Sequence, residues 1–82
     1  MQSVKEKLLQ RIEVNPKVMV GKPVIKGTRI PVELILRLLA QGITVEELLE
    51  DYPHLAKEDI QAALLYAAGV IVDEEVLPIA TG

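Results

Sequence analysis

Cysteine, phenylalanine and tryptophan are absent from this chain, and histidine occurs once, at His54. Without cysteine there is neither a disulfide nor a thiolate metal site, and a reducing cytoplasm is the expected setting. Tyr52 and Tyr66 are the only aromatic side chains, which excludes the stacking platforms that hold single-stranded nucleic acid. No apolar run approaches the roughly 20 residues that cross a bilayer, and "MQSVKEKLLQR" lacks the apolar stretch of a secretory signal. A soluble cytoplasmic protein with no membrane contact is expected. Nucleophile, base and orienting group are not found as a set. Asp51, His54 and Glu58 read as a polar turn and a helix start rather than as a metal cluster. With 82 residues the chain forms one small domain with little room for a catalytic pocket. No catalytic activity, cofactor, metal or small-molecule substrate is expected.

What is present is aliphatic and unevenly charged. Half the residues are hydrophobic, so the core must be Leu, Ile, Val and Ala, the usual filling of helices packed on helices. Net charge is −3, yet residues 1–37 hold eight basic side chains against Glu6, Glu13 and Glu33. Residues 38–82 hold only Lys57 against nine acids. Such asymmetry can mark an interaction surface or simply two solvated faces. The basic half includes "VGKPVIKGTRIPV" (20–32), whose glycines and lysines suggest a phosphate loop. The spacing excludes one: five residues separate Gly21 from Gly27, Lys26 precedes the second glycine, and Thr28 stands where lysine is required.

Local patterns divide the chain into short elements. Ser3 to Gln10 reads as a short helix, too short to stand alone. Arg11-Ile12-Glu13-Val14 alternates as a half-buried strand does, and Asn15-Pro16 ends it. Residues 18–20 add a further extended piece. Val24-Ile25 and Thr28-Arg29-Ile30 are β-branched segments joined across Lys26-Gly27, where glycine supplies positive φ for a tight hairpin. Pro31 suits the first position of a helix over residues 31–41. Glu33, Arg37 and Gln41 form its single polar stripe, Glu33 and Arg37 being an i,i+4 pair, and the remainder should be covered by protein on most sides. Gly42 caps it, with Ile43 as the accompanying contact.

Thr44 and Glu47 form a capping box at the start of a helix over 44–52, closed by Pro53. The last helix spans 57–68. Projection at 100° per residue turns Ile60, Ala63, Leu64 and Ala67 inward, and Glu58, Gln61, Ala62 and Leu65 outward. Ala56 is a poor N-cap for it and Gly69 its stop. The fold class is therefore mainly α with a small N-terminal β element: short strands within 11–30, then a helix-turn-helix trio. Residues 1–72 form the domain, and 73–82 a flexible tail.

"GKPVIKGTRIPV" (21–32), "LILRLLAQGIT" (34–44), "EELLEDYPHL" (46–55) and "EDIQAALLYAA" (58–68) together resemble the small prokaryotic domain-of-unknown-function family 433. The likeness covers residues 11 to 68. It departs at Ala56, where many members carry Ser or Thr. The resemblance implies a homeodomain-like trio behind a short sheet, often dimeric. It also implies, for some members, an antitoxin-like role beside a PIN-like ribonuclease toxin.

These readings give two sets of candidate residues. A partner or dimer interface would use Val24, Ile25, Lys26, Arg29, Ile30 and Leu65, through an unpaired strand edge and the outward apolar face of the last helix. Arg29 either grips a partner carboxylate bidentately or pairs internally with an acid such as Asp51. Nucleic-acid contacts would use Lys22, Lys26, Arg29, Lys57 and Gln61, as in a helix-turn-helix regulator. Acids at Glu46, Glu47, Glu50, Asp51, Glu58 and Asp59 surround Lys57, so duplex DNA should bind weakly to the isolated protein. A non-catalytic interaction module that forms homodimers is the expectation, and a dimeric DNA-binding regulator is the alternative.

Overall fold

The computed structural model describes residues 3–17 and 21–74, with residues 70–74 by backbone alone. Helix α1 (Val4–Leu9) is short, but Ser3 and Glu6 form a full capping box at its start, so two orphan N–H groups find partners where the helix needs them most. Strand β1 (Ile12–Val14) follows. At its end the Asn15 side chain accepts from the Lys17 N–H at 2.9 Å, turning the chain. Residues 18–20, expected to be extended, lie outside the described residues.

Strand β2 (Pro23–Ile25) pairs antiparallel with β1, Ile12 opposite Ile25 and Val14 opposite Pro23. The expected hairpin across Lys26-Gly27 turns but does not form a second ladder. Val24 bridges Pro31, and the Ile25 N–H donates to the Ile30 carbonyl at 3.0 Å. Residues 28–30 contribute no strand of their own, because the Thr28 hydroxyl takes over the bonds a strand would make. The outer side of β2 is thereby occupied.

Helix α2 (Val32–Ala40) begins one residue later than expected. Pro31 is the N-cap, with φ −70° and ψ 145°, because its bridge to Val24 holds it extended. Gly42, at φ +99°, ends the helix. Its N–H donates to Leu39 O at 3.0 Å and the Ile43 N–H to Leu38 O at 3.1 Å, the crossed pair of bonds that a left-handed glycine makes possible. Val32 and Ile35 are fully buried, while Leu34, Leu36, Leu38 and Leu39 are half-buried.

Helix α3 (Val45–Asp51) carries the expected Thr44–Glu47 capping box. Helix α4 (Lys57–Glu74) runs past the expected end at residue 68. Gly69 does not stop it, since it is not among the glycines with positive φ and so keeps helical backbone. Residues 73 and 74 belong to the helix, not to a tail, and residues 75–82 lie outside the described residues.

The core gathers Ile25, Val32, Ile35, Leu48, Leu55, Ile60 and Ala63 from β2, the three later helices and the α3–α4 connection. The facing of α4 departs from the projection. Ala62 is wholly buried and Leu64 is 49% exposed, the reverse of the expected assignment. The physical reason is α1, which packs along α4. Alanine at 62 and 63 leaves room for a second helix to approach, so the buried face of α4 is wider than a trio alone requires. Asp59, on the same face, is buried as well.

Candidate functional site

The turn between β2 and α2 is fixed at its base by the backbone and at its tip by one side chain. The Thr28 N–H donates to Ile25 O at 3.0 Å, with Gly27 at φ +83° in the third turn position. Any residue with a Cβ is strained at that φ although the space around it is open. Thr28 Oγ1 donates to Ile25 O at 2.7 Å and accepts from the Ile30 N–H at 3.0 Å. The Lys26 N–H donates to Arg11 O at 2.7 Å, tying the turn to the start of β1. A well-anchored backbone thus presents Lys26 and Arg29, both exposed. Neither side chain makes an ion pair among the described residues.

Two shallow depressions flank this turn. One, of about 480 Å³, is lined by Lys26, Gly27, Thr28, Arg29, Ile30 and His54. The other, of about 390 Å³, is lined by Lys7, Gln10, Arg11, Lys26 and Asp59. Lys26 borders both. The surface is therefore basic and continuous, drawn from α1, the start of β1, the turn and the α3–α4 connection.

Of the expected interface residues, Lys26, Arg29 and Ile30 come together at the turn. Val24 and Ile25 do not serve as a surface: they are 0% and 2% exposed, Ile25 within the core cluster, and the backbone edge of β2 is taken by the Ile30–Pro31 segment. Leu65 is half-buried, and Leu64 is the exposed leucine of α4. Of the expected nucleic-acid contacts, Lys22 is held by Glu33 at 3.1 Å, with Arg37 on the same carboxylate oxygen at 3.9 Å. Lys57 and Gln61 are exposed on α4 and line neither depression. The internal Arg29–Asp51 pair is not made.

Among the described residues the most buried ion pair is Arg11–Asp59, at 2.9 Å, with the Asp59 side chain 9% and the Arg11 side chain 42% exposed. The second Asp59 oxygen accepts from the Ala56 N–H at 2.8 Å. Ala56 cannot cap α4 with its own side chain, and Asp59, at the third helical position, reaches back to the N-cap in its place. That spacing is visible in the sequence: an acid three residues after a missing cap. Asp59 therefore does not repel an incoming phosphate as a free carboxylate would; it is spent on Arg11 and the helix start. Among the described residues no three His, Asp or Glu side chains gather as a metal site requires. No helix described is long and apolar enough to cross a membrane.

The crystal structure of a DUF433 member protein from Anabaena variabilis superposes with a TM-score of 0.73 at 35% identity, over 83% of this chain and 67% of that one. An uncharacterized protein of Sinorhizobium fredii, y4eO, is 42% identical over 65% of this chain. The chain spans only 24% of the length of that protein. An uncharacterized protein of Archaeoglobus fulgidus is 63% identical over 37% of this chain and 83% of its own length. The family model described as "Protein of unknown function (DUF433)" matches residues 12–67, from β1 through most of α4, and the chain therefore belongs to that family.

Proposed function

We propose that this protein is a non-catalytic interaction module that binds a separate acidic protein through the Lys26–Arg29 turn. The observation that carries the reading is the pairing of a rigid base with free charge. Thr28, Gly27 and the Lys26–Arg11 backbone bond hold the turn, while the Lys26 and Arg29 side chains are exposed and engaged by no acid among the described residues. A charge held in place without an internal partner loses less freedom on binding than one on a mobile loop. Arginine adds a planar fork that matches a carboxylate.

The partner that fits is a nuclease whose carboxylates line a nucleic-acid groove, which a basic turn can fill. An antitoxin-like role beside a PIN-like ribonuclease is the form this takes, with α2, α3 and α4 as a homeodomain-like trio that supports the turn. Calorimetric titration of the protein encoded by the neighbouring gene tests the proposal. Saturable binding at micromolar concentration or tighter supports it. No heat of binding from such a partner, with both proteins folded, ends the antitoxin reading in favour of a dimeric DNA-binding regulator.

A further inference from the structure

We infer that the depression between α1, the start of β1 and the turn is an anion site that takes a phosphate group of a polyanion. Lys7, Gln10, Arg11 and Lys26 border it, along with Asp59. The cationic groups come from two separate segments, Lys7 and Arg11 at the end of α1 and Lys26 in the turn, so their convergence is a product of the fold and not of a run of basic residues. Asp59 is the only acid on its wall, and both of its oxygens are already engaged, by Arg11 Nη1 at 2.9 Å and by the Ala56 N–H at 2.8 Å.

That arrangement orients the site. Asp59 anchors one nitrogen of the Arg11 guanidinium, and among the described residues the remaining Arg11 nitrogens donate to no side chain. A fork held on one side by a carboxylate and open on the other is preorganised for an oxyanion. Lys7 and Lys26 add two point charges, and Gln10 a neutral amide donor. The net charge of the wall is positive after Asp59 is subtracted.

The neighbouring depression, with Arg29 and His54, begins at Lys26. Two adjoining basic hollows suit a chain of repeating phosphates better than a single carboxylate. Among the described residues neither hollow is lined by a tyrosine, and His54 is the one ring at either, so recognition rests on phosphate with at most a single stacked base. Neither Lys57 nor Gln61, the α4 residues through which a helix-turn-helix protein would read DNA, lines this hollow. It shares Lys26 with the proposed protein-binding turn, but of the two hollows Lys7 and Arg11 line this one alone, so Lys7→Ala tests it separately.

The test uses two probes on the intact protein: a short fluorescein-labelled single-stranded oligonucleotide, followed by anisotropy, and inorganic tripolyphosphate, followed by calorimetry. Three cations predict that log K for the oligonucleotide falls against log salt with a slope of about −2, and that Lys7→Ala flattens it by about 0.7. Lys26→Ala should do the same, while Lys57→Ala and Gln61→Ala leave the slope unchanged. Tripolyphosphate that competes with the oligonucleotide shows a site for free phosphate esters. Tripolyphosphate that fails to compete, while Lys7→Ala still weakens the oligonucleotide, shows a track for a nucleic-acid backbone. Both outcomes keep the site. Absence of binding by either probe at about 50 mM salt, or binding that depends on Lys57 and not on Lys7, overturns it. Because Lys7 and Lys26 are exposed, their alanine variants should melt with the wild type, which separates lost contact from lost fold.

Discussion

Arg29 and Asp59 are both charged, yet their positions assign them opposite duties. Asp59 joins the start of β1 to the start of α4 through Arg11 and the Ala56 N–H. Asp59→Ala removes both bonds and leaves Arg11 without its acid. The expected loss is about 2 kcal/mol, less than a fully buried pair because Arg11 is partly solvated, or about 10 °C in the thermal midpoint for a chain this short. Asp59→Asn should lose less, since an amide oxygen still accepts from Ala56. Arg29→Ala, at an exposed residue that pairs with no acid among the described residues, should change stability by no more than about 0.5 kcal/mol. Thermal unfolding of the three variants checks this ordering; a melt lowered equally by Arg29→Ala and Asp59→Ala would contradict it.

At the scale of elements, the turn chemistry dominates. Gly27→Ala places a Cβ at φ +83°, with an expected cost of about 1 kcal/mol or more. Its measurable consequence is a lower midpoint in denaturant with an unchanged slope. Thr44→Ala breaks the capping box of α3 and should cost about 1 kcal/mol. Leu48→Ala empties a fully buried position on the same helix and should cost about 2–5 kcal/mol.

These elements also show what the sequence could reveal. The Thr44–Glu47 capping box, the Gly42 stop and the Lys26–Gly27 turn were legible because each depends on residues within a few positions of one another. The facing of α4 was not, because α1, an element far away in the chain, packs along α4, and no local periodicity encodes that packing. The length of α4 was misjudged for a related reason: glycine ends a helix only where its backbone turns left-handed, and Gly69 stays helical. At the site, exposed Lys26 and Arg29 followed from the turn, whereas the use of Asp59 by Arg11 required knowing that residues 11 and 59 meet.

For the whole molecule, the question is what covers the surfaces the fold leaves open. Val4 and Val14 are 75% and 54% exposed, in addition to Leu64. β2 is flanked on both sides, by β1 and by the Ile30–Pro31 segment, so extension of the sheet by a second chain must use the outer edge of β1. We propose a homodimer through that edge, Glu13 and Val14 included, with the two-fold symmetry of an isologous contact. Sedimentation at micromolar concentration should show a species of twice the 9.0 kDa chain mass, and Val14→Pro, which removes a backbone donor on the edge, should shift it to monomer. A single species of chain mass in the wild type would exclude the dimer. The basic turn is the other open surface, and the proposed function depends on it. Its most direct measurement is the affinity of the neighbouring gene product for wild type and for Arg29→Ala, taken with the thermal midpoint of each. An affinity about tenfold weaker or more for Arg29→Ala, with the midpoint unmoved, is the predicted result; an unchanged affinity would contradict the assignment of this turn as the binding face.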